Sequence, residues 1–444
     1  MFPAPVHHTF GPLADGRQIR RSLGVFLTPW RWRRGTSSLE FSEELKRKFR
    51  GDLILFSSGR EGLLALFRAL DLHADDEVII QAYTCVVVPN AIQAAGAVPV
   101  YVDIERDTLN LDLDDVRKKI TPKTRAIICQ HTFGIPADME ALRVLCDERQ
   151  IVLIEDCAHV LPDEPPSPVL RDQPPPPVFR NQPPPPSPLP RRGRGYGGWG
   201  LIAQEGDYLL LSFGRDKAIS GITGGAIVSR NPTVSTRLRE LEKDAVDLPL
   251  ARIFRYLLYP IVYWKIRLLY RFGLGRLYAA FISRLGALVP IVTREEKHGR
   301  MPEQLHRMPN ACAYLALDQL RRLKSINDHR RMLTKFYLEE FQKRGWPILG
   351  AVHKDLPLQK FPIFVKEAEK IRRSLKRKNI FLDDGWTGCV VCPASVHIPD
   401  TGYELGNDPE AEAVCEEILS LPTHPGMTIG QARRLVGALE GLLS

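Results

Sequence analysis

The stretch LILFSSGREGLLALFRAL, residues 53–70, decides how the chain is read. Its first four residues are aliphatic or aromatic without a break. A strand that is apolar on every side is buried on both faces, as in a parallel sheet covered by helices. Residues 60–70 then carry leucine and alanine at helical spacing. Between strand and helix lies the turn Ser57–Leu63, which contains glycine and opens the helix. Such a turn offers free backbone N–H groups to an anion.

The same kind of short apolar run recurs on the C-terminal side: EVIIQ (77–81), VPVYVD (98–103), AIICQ (126–130), IVLIED (151–156), YLLLSF (208–213) and GAIVS (225–229). Helix-like spacing returns in ADMEALRVLCDER (137–149), and Leu111–Ile120 reads as a helix with Asn110 as its N-cap. Strand–helix alternation over this length predicts an open α/β sheet. In such sheets ligands bind outside the carboxyl ends of the strands.

Two segments interrupt the pattern. Residues 162–200 are proline-rich and repeat themselves, VLRDQPPPP (169–177) and then VFRNQPPPP (178–186). A stretch so poor in hydrogen-bond donors is read as a tolerated loop expansion of polyproline character. Residues 248–294 contain no acid between Asp247 and Glu295, but they carry basic residues interleaved with Tyr, Phe, Trp and Leu. Pro260 and the Gly273/Gly275 pair are expected to break this segment into short helices. The segment reads either as helices packed on the body or as an amphipathic element with its cations toward anionic lipid.

Beyond it, 311–344 reads as one long helix with a break, followed by strands at 346–349 and 361–365 and helices at 366–378, 410–419 and 428–443. The expected domains are therefore 1–247, a large α/β unit holding the proline-rich insertion; 248–304, a basic aromatic helical insertion; and 305–444, the long helix and a smaller α+β domain.

Composition narrows the class. The chain has 444 residues, 44% hydrophobic and 25% charged, which suits a globular protein with a large core. Its net charge of +9 is mild for that length and does not indicate nucleic acid. Eight scattered cysteines exclude a disulfide-stapled scaffold. A single CxxC, Cys389 and Cys392, gives no four-ligand zinc site, so no metal is expected. The opening MFPAPVHHTFGP lacks a signal-peptide pattern, and no run of 18 uncharged apolar residues occurs. A cytoplasmic location is expected.

The chemistry is read at the strand ends. IVLIED closes on Asp156, a carboxylate at a buried edge, where it needs a cationic partner or serves as a helix cap. YLLLSF presents Ser212, and the loop after it holds Lys217 among Gly214, Gly221, Gly224 and Gly225. Together with the anion-binding turn at 57–63, these supply what pyridoxal 5'-phosphate (PLP) requires. The phosphate needs N–H groups and hydroxyls, the ring nitrogen a carboxylate, and the aldehyde a lysine.

At this level the sequence resembles the DegT-type family of PLP-dependent sugar aminotransferases, over roughly residues 35–160, 205–245 and 305–440. The resemblance rests on GDLILFSSGREGLLAL (51–66), DDEVIIQAYTCVVVPNAIQAAGAVPVYVDIERDTLNLD (75–112), ITPKTRAIICQHTFGIPADM (120–139), VLIEDCAH (152–159), GDYLLLSFGRDKAISGITGGAIVS (206–229) and ILSLPTHPGMT (418–428). It implies a fold-type I transferase with a large, mostly parallel sheet domain and a smaller C-terminal α+β domain.

The resemblance also implies roles. Lys217 joins the cofactor aldehyde and shuttles the proton, and Asp156 pairs with the ring nitrogen. His159 lies near the phenolic oxygen. Ser212, Ser58, Gly59 and Arg60 hold the phosphate, while Tyr83 and His424 lie toward the substrate. The implied enzyme is a homodimer that moves an amino group from glutamate to a keto sugar on a nucleotide. Two alternatives stand beside it: a PLP-dependent sugar dehydratase, in which a histidine replaces the lysine, and a catalytically degenerate, membrane-associated scaffold. Three departures from the family pattern are visible. Arg60 stands where a threonine is usual, the pair Thr84–Cys85 lacks the usual stacking aromatic, and Asn310 is offset from the family's partner-chain asparagine.

Overall fold

The structure is a computed structural model that describes residues 4–8, 15–163, 202–270, 272–286 and 288–443. All but the first two residues of the proline-rich stretch 162–200 lie outside the described residues.

The seven apolar runs form one sheet. Its strands are β1 (Asp52–Phe56), β2 (Glu77–Gln81), β3 (Val98–Val102), β4 (Thr124–Gln130), β5 (Val152–Asp156), β6 (Tyr208–Ser212) and β7 (Gly225–Ser229), in the order β1-β7-β6-β5-β4-β2-β3. Strand β7 runs antiparallel to both neighbours, and every other pairing is parallel. Alternate residues of one strand enter different cores. Tyr208 and Leu210 pack in one cluster, Leu209 and Leu211 in the other. Both faces are therefore covered, which is why these strands are continuous apolar runs rather than alternating ones.

The helix Gly59–Ala69 follows β1, capped by Ser58, whose hydroxyl accepts from the Glu61 N–H at 3.3 Å. The helix Met139–Arg149 follows as expected. The helix near 111–120 spans Leu113–Lys119, and its cap is Asp112 rather than Asn110. Asp112 accepts from the N–H groups of Asp114 and Asp115. Asn110 instead turns inward, donating to the Ile135 carbonyl and accepting from the Thr132 N–H.

The C-terminal part begins with two helices, Asn310–Leu320 and Leu323–Arg344. Strand Lys360–Phe364 pairs antiparallel with Ile418–Pro422. Residues 346–349 form no strand; Pro347 there has no N–H for a ladder. Helices Ala368–Arg377, Pro409–Glu417 and Ile429–Leu443 complete this part. Residues Val6–His7 pair in parallel with Ile380–Phe381, so the N-terminal segment is built into the C-terminal part.

In the basic insertion, the helix Leu250–Tyr270 runs unbroken through Pro260. The expected break there does not occur. Pro260, Leu257, Tyr259, Val262 and Tyr263 are buried, and that packing outweighs the hydrogen bond proline removes. Ile253 and Leu257 pack with Trp32, Ile222 and Leu315. A second helix, Gly275–Arg284, follows. Outward lie Leu268, Phe272, Leu274, Leu277, Phe281 and Leu285, all exposed. No helix among the described residues is long and apolar enough to cross a membrane.

Candidate active site

The parallel strands β5 and β6 end side by side, which brings Asp156 and Ser212 to one edge of the sheet. Lys217 lies in the loop from β6 to β7 and is half-buried. Burial pulls its ammonium below the ordinary lysine pKa and Lys360 adds to this, while Cys85, Asp156 and Asp216 oppose it. Asp156 is buried, and burial raises its carboxyl pKa against the opposing field of Lys217. Its Oδ1 accepts from the Ala158 N–H at 2.8 Å, and Oδ2 makes no hydrogen bond among the described residues. That carboxylate does not cap a helix; a turn follows it. The site thus contains a buried acid with an open oxygen beside a lysine whose ammonium is pulled below its ordinary pKa by burial.

His159 is buried next to this pair. Its Nδ1 accepts from the Phe133 N–H at 3.2 Å, which places its proton on Nε2. Burial pushes its pKa well below the ordinary value, with Lys217 and Lys360 acting the same way, so the ring is neutral at pH 7.

The turn after β1 meets the ends of β6 and β7 at very short range. A Cβ on Gly225 would lie 2.3 Å from the Gly59 nitrogen, and one on Gly59 would lie 3.2 Å from the Ser212 hydroxyl. Glycine is required at 225, where the Cβ would strike backbone, whereas at 59 a Cβ would press on the Ser212 side chain. The result is a small cradle lined by Ser58, Gly59 and Ser212, where the first helical N–H groups have no intrahelical acceptor. Arg60 does not give its guanidinium to this cradle. It pairs with Glu296 and donates to the Ile291 carbonyl at 2.8 Å.

Sequence reasoning missed four residues here. Phe133 and Trp386 stand around His159, with ring centroids 5.9 and 5.1 Å away. Lys360 lies 3.1 Å from Asp384, both buried, and its ammonium sits 5.2 and 5.4 Å from the Phe133 and Trp386 rings. A lysine opening the apolar run KFPIF was the signal available for that pair. Tyr83 is fully buried behind these rings and donates its hydroxyl to the Trp386 carbonyl at 2.9 Å. Cys85 pairs in a short ladder with Cys392.

His424 is not brought to the Lys217 group. Its Nε2 bonds the His7 carbonyl at 2.8 Å, its Nδ1 accepts from the Gly426 N–H, and its ring stacks on His7 at 5.5 Å. Asn310 is likewise engaged within its own chain, donating to the Arg31 carbonyl and accepting from the Ser38 N–H.

The donor set fits PLP. A glycine cradle with a hydroxyl suits the phosphate, the open oxygen of Asp156 suits a ring N–H, and Lys217 suits an aldehyde. Beside Lys217, Asp216 Oδ1 and Gln359 Oε1 are buried without a hydrogen-bond partner among the described residues.

The sheet order and the donor set at its edge are those expected of a fold-type I PLP-dependent transferase. Comparison then gives the family. The chain matches the profile of the DegT/DnrJ/EryC1/StrS aminotransferase family over residues 16–166 and 285–440 and belongs to that family. It is a PLP-dependent aminotransferase. Ser212 and Lys217 fall between the two matched segments.

An uncharacterized protein of Methanocaldococcus jannaschii is 25% identical over 98% of this chain and 97% of its own length. The GDP-perosamine synthase of Vibrio cholerae is 35% identical over 156 residues, 34% of this chain and 42% of that protein. Among solved structures, NtdA of Bacillus subtilis with bound PMP superposes with a TM-score of 0.69 at 18% identity, covering 100% of this chain and 86% of that one. DesV of S. venezuelae, solved with a ketimine intermediate, gives 0.67 at 22% identity, covering 96% and 95%. These two likenesses show the fold.

Proposed function

We propose that the protein transfers an amino group from glutamate to a keto sugar carried on a nucleotide. The observation that carries this reading is the meeting of Lys217, Asp156 and the Gly59–Ser212–Gly225 cradle at one sheet edge. Bound PLP supplies an aldehyde that takes up the amino group and a ring that accepts electrons.

The chain's residues do the rest. Lys217, its ammonium pulled below the ordinary pKa by burial, would be the base that takes the donor's Cα proton in the first half-reaction, and its Nζ would deliver a proton to the sugar carbon in the second. Asp156, through its open Oδ2, would keep a proton on the cofactor's ring nitrogen. Neutral His159, with its proton on Nε2, would serve as a donor to the cofactor's phenolic oxygen. Ser58, Gly59, Ser212 and the Arg60 N–H hold the phosphate, while the Arg60 guanidinium anchors the turn to Glu296. Tyr83 positions Trp386 as a wall of the substrate space, and His424 fixes the N-terminal segment behind it. A lysine at position 217 favours transamination over the dehydratase alternative. The test is incubation with glutamate and a panel of nucleotide-linked keto sugars, reading 2-oxoglutarate release and an amino sugar product.

We propose also that the protein is a cytoplasmic homodimer that meets a membrane peripherally through 248–294. That segment has no acid between Asp247 and Glu295, and its exposed Phe272, Leu277, Phe281 and Leu285 lie beside exposed Lys265, Arg276 and Arg284. Apolar side chains among cations suit an anionic lipid surface. Binding to anionic vesicles at low salt, released as salt rises, is the expected behaviour.

A further inference from the structure

Two surface turns far apart in sequence meet where the basic insertion ends. One is Glu296–His298, and the other is Ile398–Thr401 with His397 before it. The backbone fixes their approach. The His397 N–H donates to the Lys297 carbonyl at 2.8 Å. Gly299 has φ +69°, and a Cβ there would lie 2.3 Å from the Asp400 carbonyl oxygen. The Asp400 N–H closes its own turn on the His397 carbonyl at 3.0 Å.

This docking converges three donors. Asp400 Oδ2 lies 3.2 Å from His298 Nδ1 and 2.9 Å from His397 Nδ1, and one ligand atom from each of the three side chains lies within 4.8 Å of the other two. The edge of a tetrahedron around zinc is about 3.3–3.6 Å when its bonds to nitrogen and oxygen are 2.0–2.2 Å. The two separations to Asp400 lie within a few tenths of an ångström below that range, so the ligands need only spread slightly to take an ion between them. The side chains are half-exposed, so an ion can enter and a water can take a fourth position. None of the three has a part in the chemistry assigned to Lys217 and Asp156.

We propose that His298, His397 and Asp400 form a zinc-class metal site. Two imidazoles and one carboxylate suit Zn²⁺ and its neighbours rather than Mg²⁺ or Ca²⁺, which prefer oxygen ligands. The ion staples the end of the insertion to the C-terminal part. Glu296, in the same turn as His298, holds Arg60 at the head of the phosphate turn and gives its carbonyl to the Asn90 side chain at 2.7 Å. The staple therefore fixes the element that anchors the cofactor cradle from outside.

The test titrates purified PLP-loaded protein, dialysed against chelator, with Co²⁺ and Zn²⁺. The expected result is one ion per chain at micromolar concentration, visible cobalt bands displaced by Zn²⁺ but not by excess Mg²⁺, and a raised melting temperature. His298→Ala, His397→Ala and Asp400→Asn should each weaken binding at least about tenfold and abolish the melting shift. Cofactor absorbance should stay unchanged, which shows that the variants fold. Absence of metal uptake by the wild type overturns the proposal. So does equal displacement by Mg²⁺, or uptake that survives His298→Ala/His397→Ala; in these cases the trio is two imidazoles sharing one carboxylate.

Discussion

Arg60 gives one arm of its guanidinium to Glu296, 236 residues later in the chain, and another to the Ile291 carbonyl. The turn that opens the helix Gly59–Ala69 is thus tied to the end of the basic insertion. Glu296 is buried and Arg60 keeps 21% of its side-chain surface in solvent. Removing one member of a fully buried pair costs about 3–5 kcal/mol, and partial exposure places this pair below that range. Glu296→Gln is expected to lower the denaturant midpoint of the PLP-loaded protein while the cofactor stays bound. An unchanged midpoint would show that the link contributes nothing to stability.

Two buried histidines make stability depend on pH. Burial, with Lys360 acting in the same direction, depresses His8 to about 4, although Asp384 and the Ser420 carbonyl oppose it. Burial also depresses His424 to about 3, against the His7 carbonyl. In the unfolded chain both take a proton near pH ~6.5, so the unfolded state binds more protons below that value. Their contribution is present above pH ~6.5 and is lost as pH falls toward the folded values, with a slope of up to about 1.4 kcal/mol per pH unit for each. His424→Gln should flatten the decline between pH 6.5 and 4 in a series of denaturation curves. A variant as steep as the wild type would place the proton uptake elsewhere.

Asp384 acts at lower pH. Burial alone would raise its carboxyl pKa, but Lys360, His8 and the Trp386 N–H hold it below the ordinary value. Its contribution is therefore present above pH ~3.9 and lost below that. Asp384→Asn leaves Lys360 buried without its counter-charge, and a loss on the order of 3 kcal/mol at neutral pH is expected. The same variant should alter the Trp386 fluorescence, since Asp384 accepts from the Trp386 backbone N–H at 3.0 Å and pairs with Lys360, whose ammonium lies 5.4 Å from the Trp386 ring. Unaltered stability and fluorescence together would remove Lys360 and Asp384 from the wall of the site.

Much of this architecture is legible in the sequence, and the reason is specific. All seven sheet strands are continuous apolar runs, because both faces of the sheet are covered; Leu209 and Leu210 enter opposite cores. Asp156, Ser212 and Lys217 stand out because each follows such a run at the edge where ligands bind. The helix through Pro260 was not legible, since burial of Leu257, Tyr259 and Val262 overrides the local cost of proline. Asp112 and Asn110 are both good caps, and only the inward hydrogen bonds of Asn110 decide between them. Phe133, Trp386 and Lys360 come from three distant segments, and only tertiary packing brings them around His159.

The exposed apolar residues of the insertion give a separate prediction. Phe272→Asp/Leu277→Asp/Phe281→Asp should abolish binding to anionic vesicles at low salt and leave cofactor absorbance unchanged, because these side chains lie on the exposed face of the insertion. Equal vesicle binding by variant and wild type would contradict the membrane contact.

The central claim is that Lys217, its proton loosened by burial and facing the field of Asp156, is the group that joins PLP and moves the substrate proton. The most direct measurement is the absorbance of the purified protein before and after glutamate, without any sugar, for wild type and Lys217→Ala. The wild type is expected to be coloured, with an absorbance that shifts to that of pyridoxamine phosphate as 2-oxoglutarate appears. Lys217→Ala, still folded, is expected to show no such half-reaction. A wild type that binds no PLP, or a Lys217→Ala variant that converts glutamate at the wild-type rate, would contradict it.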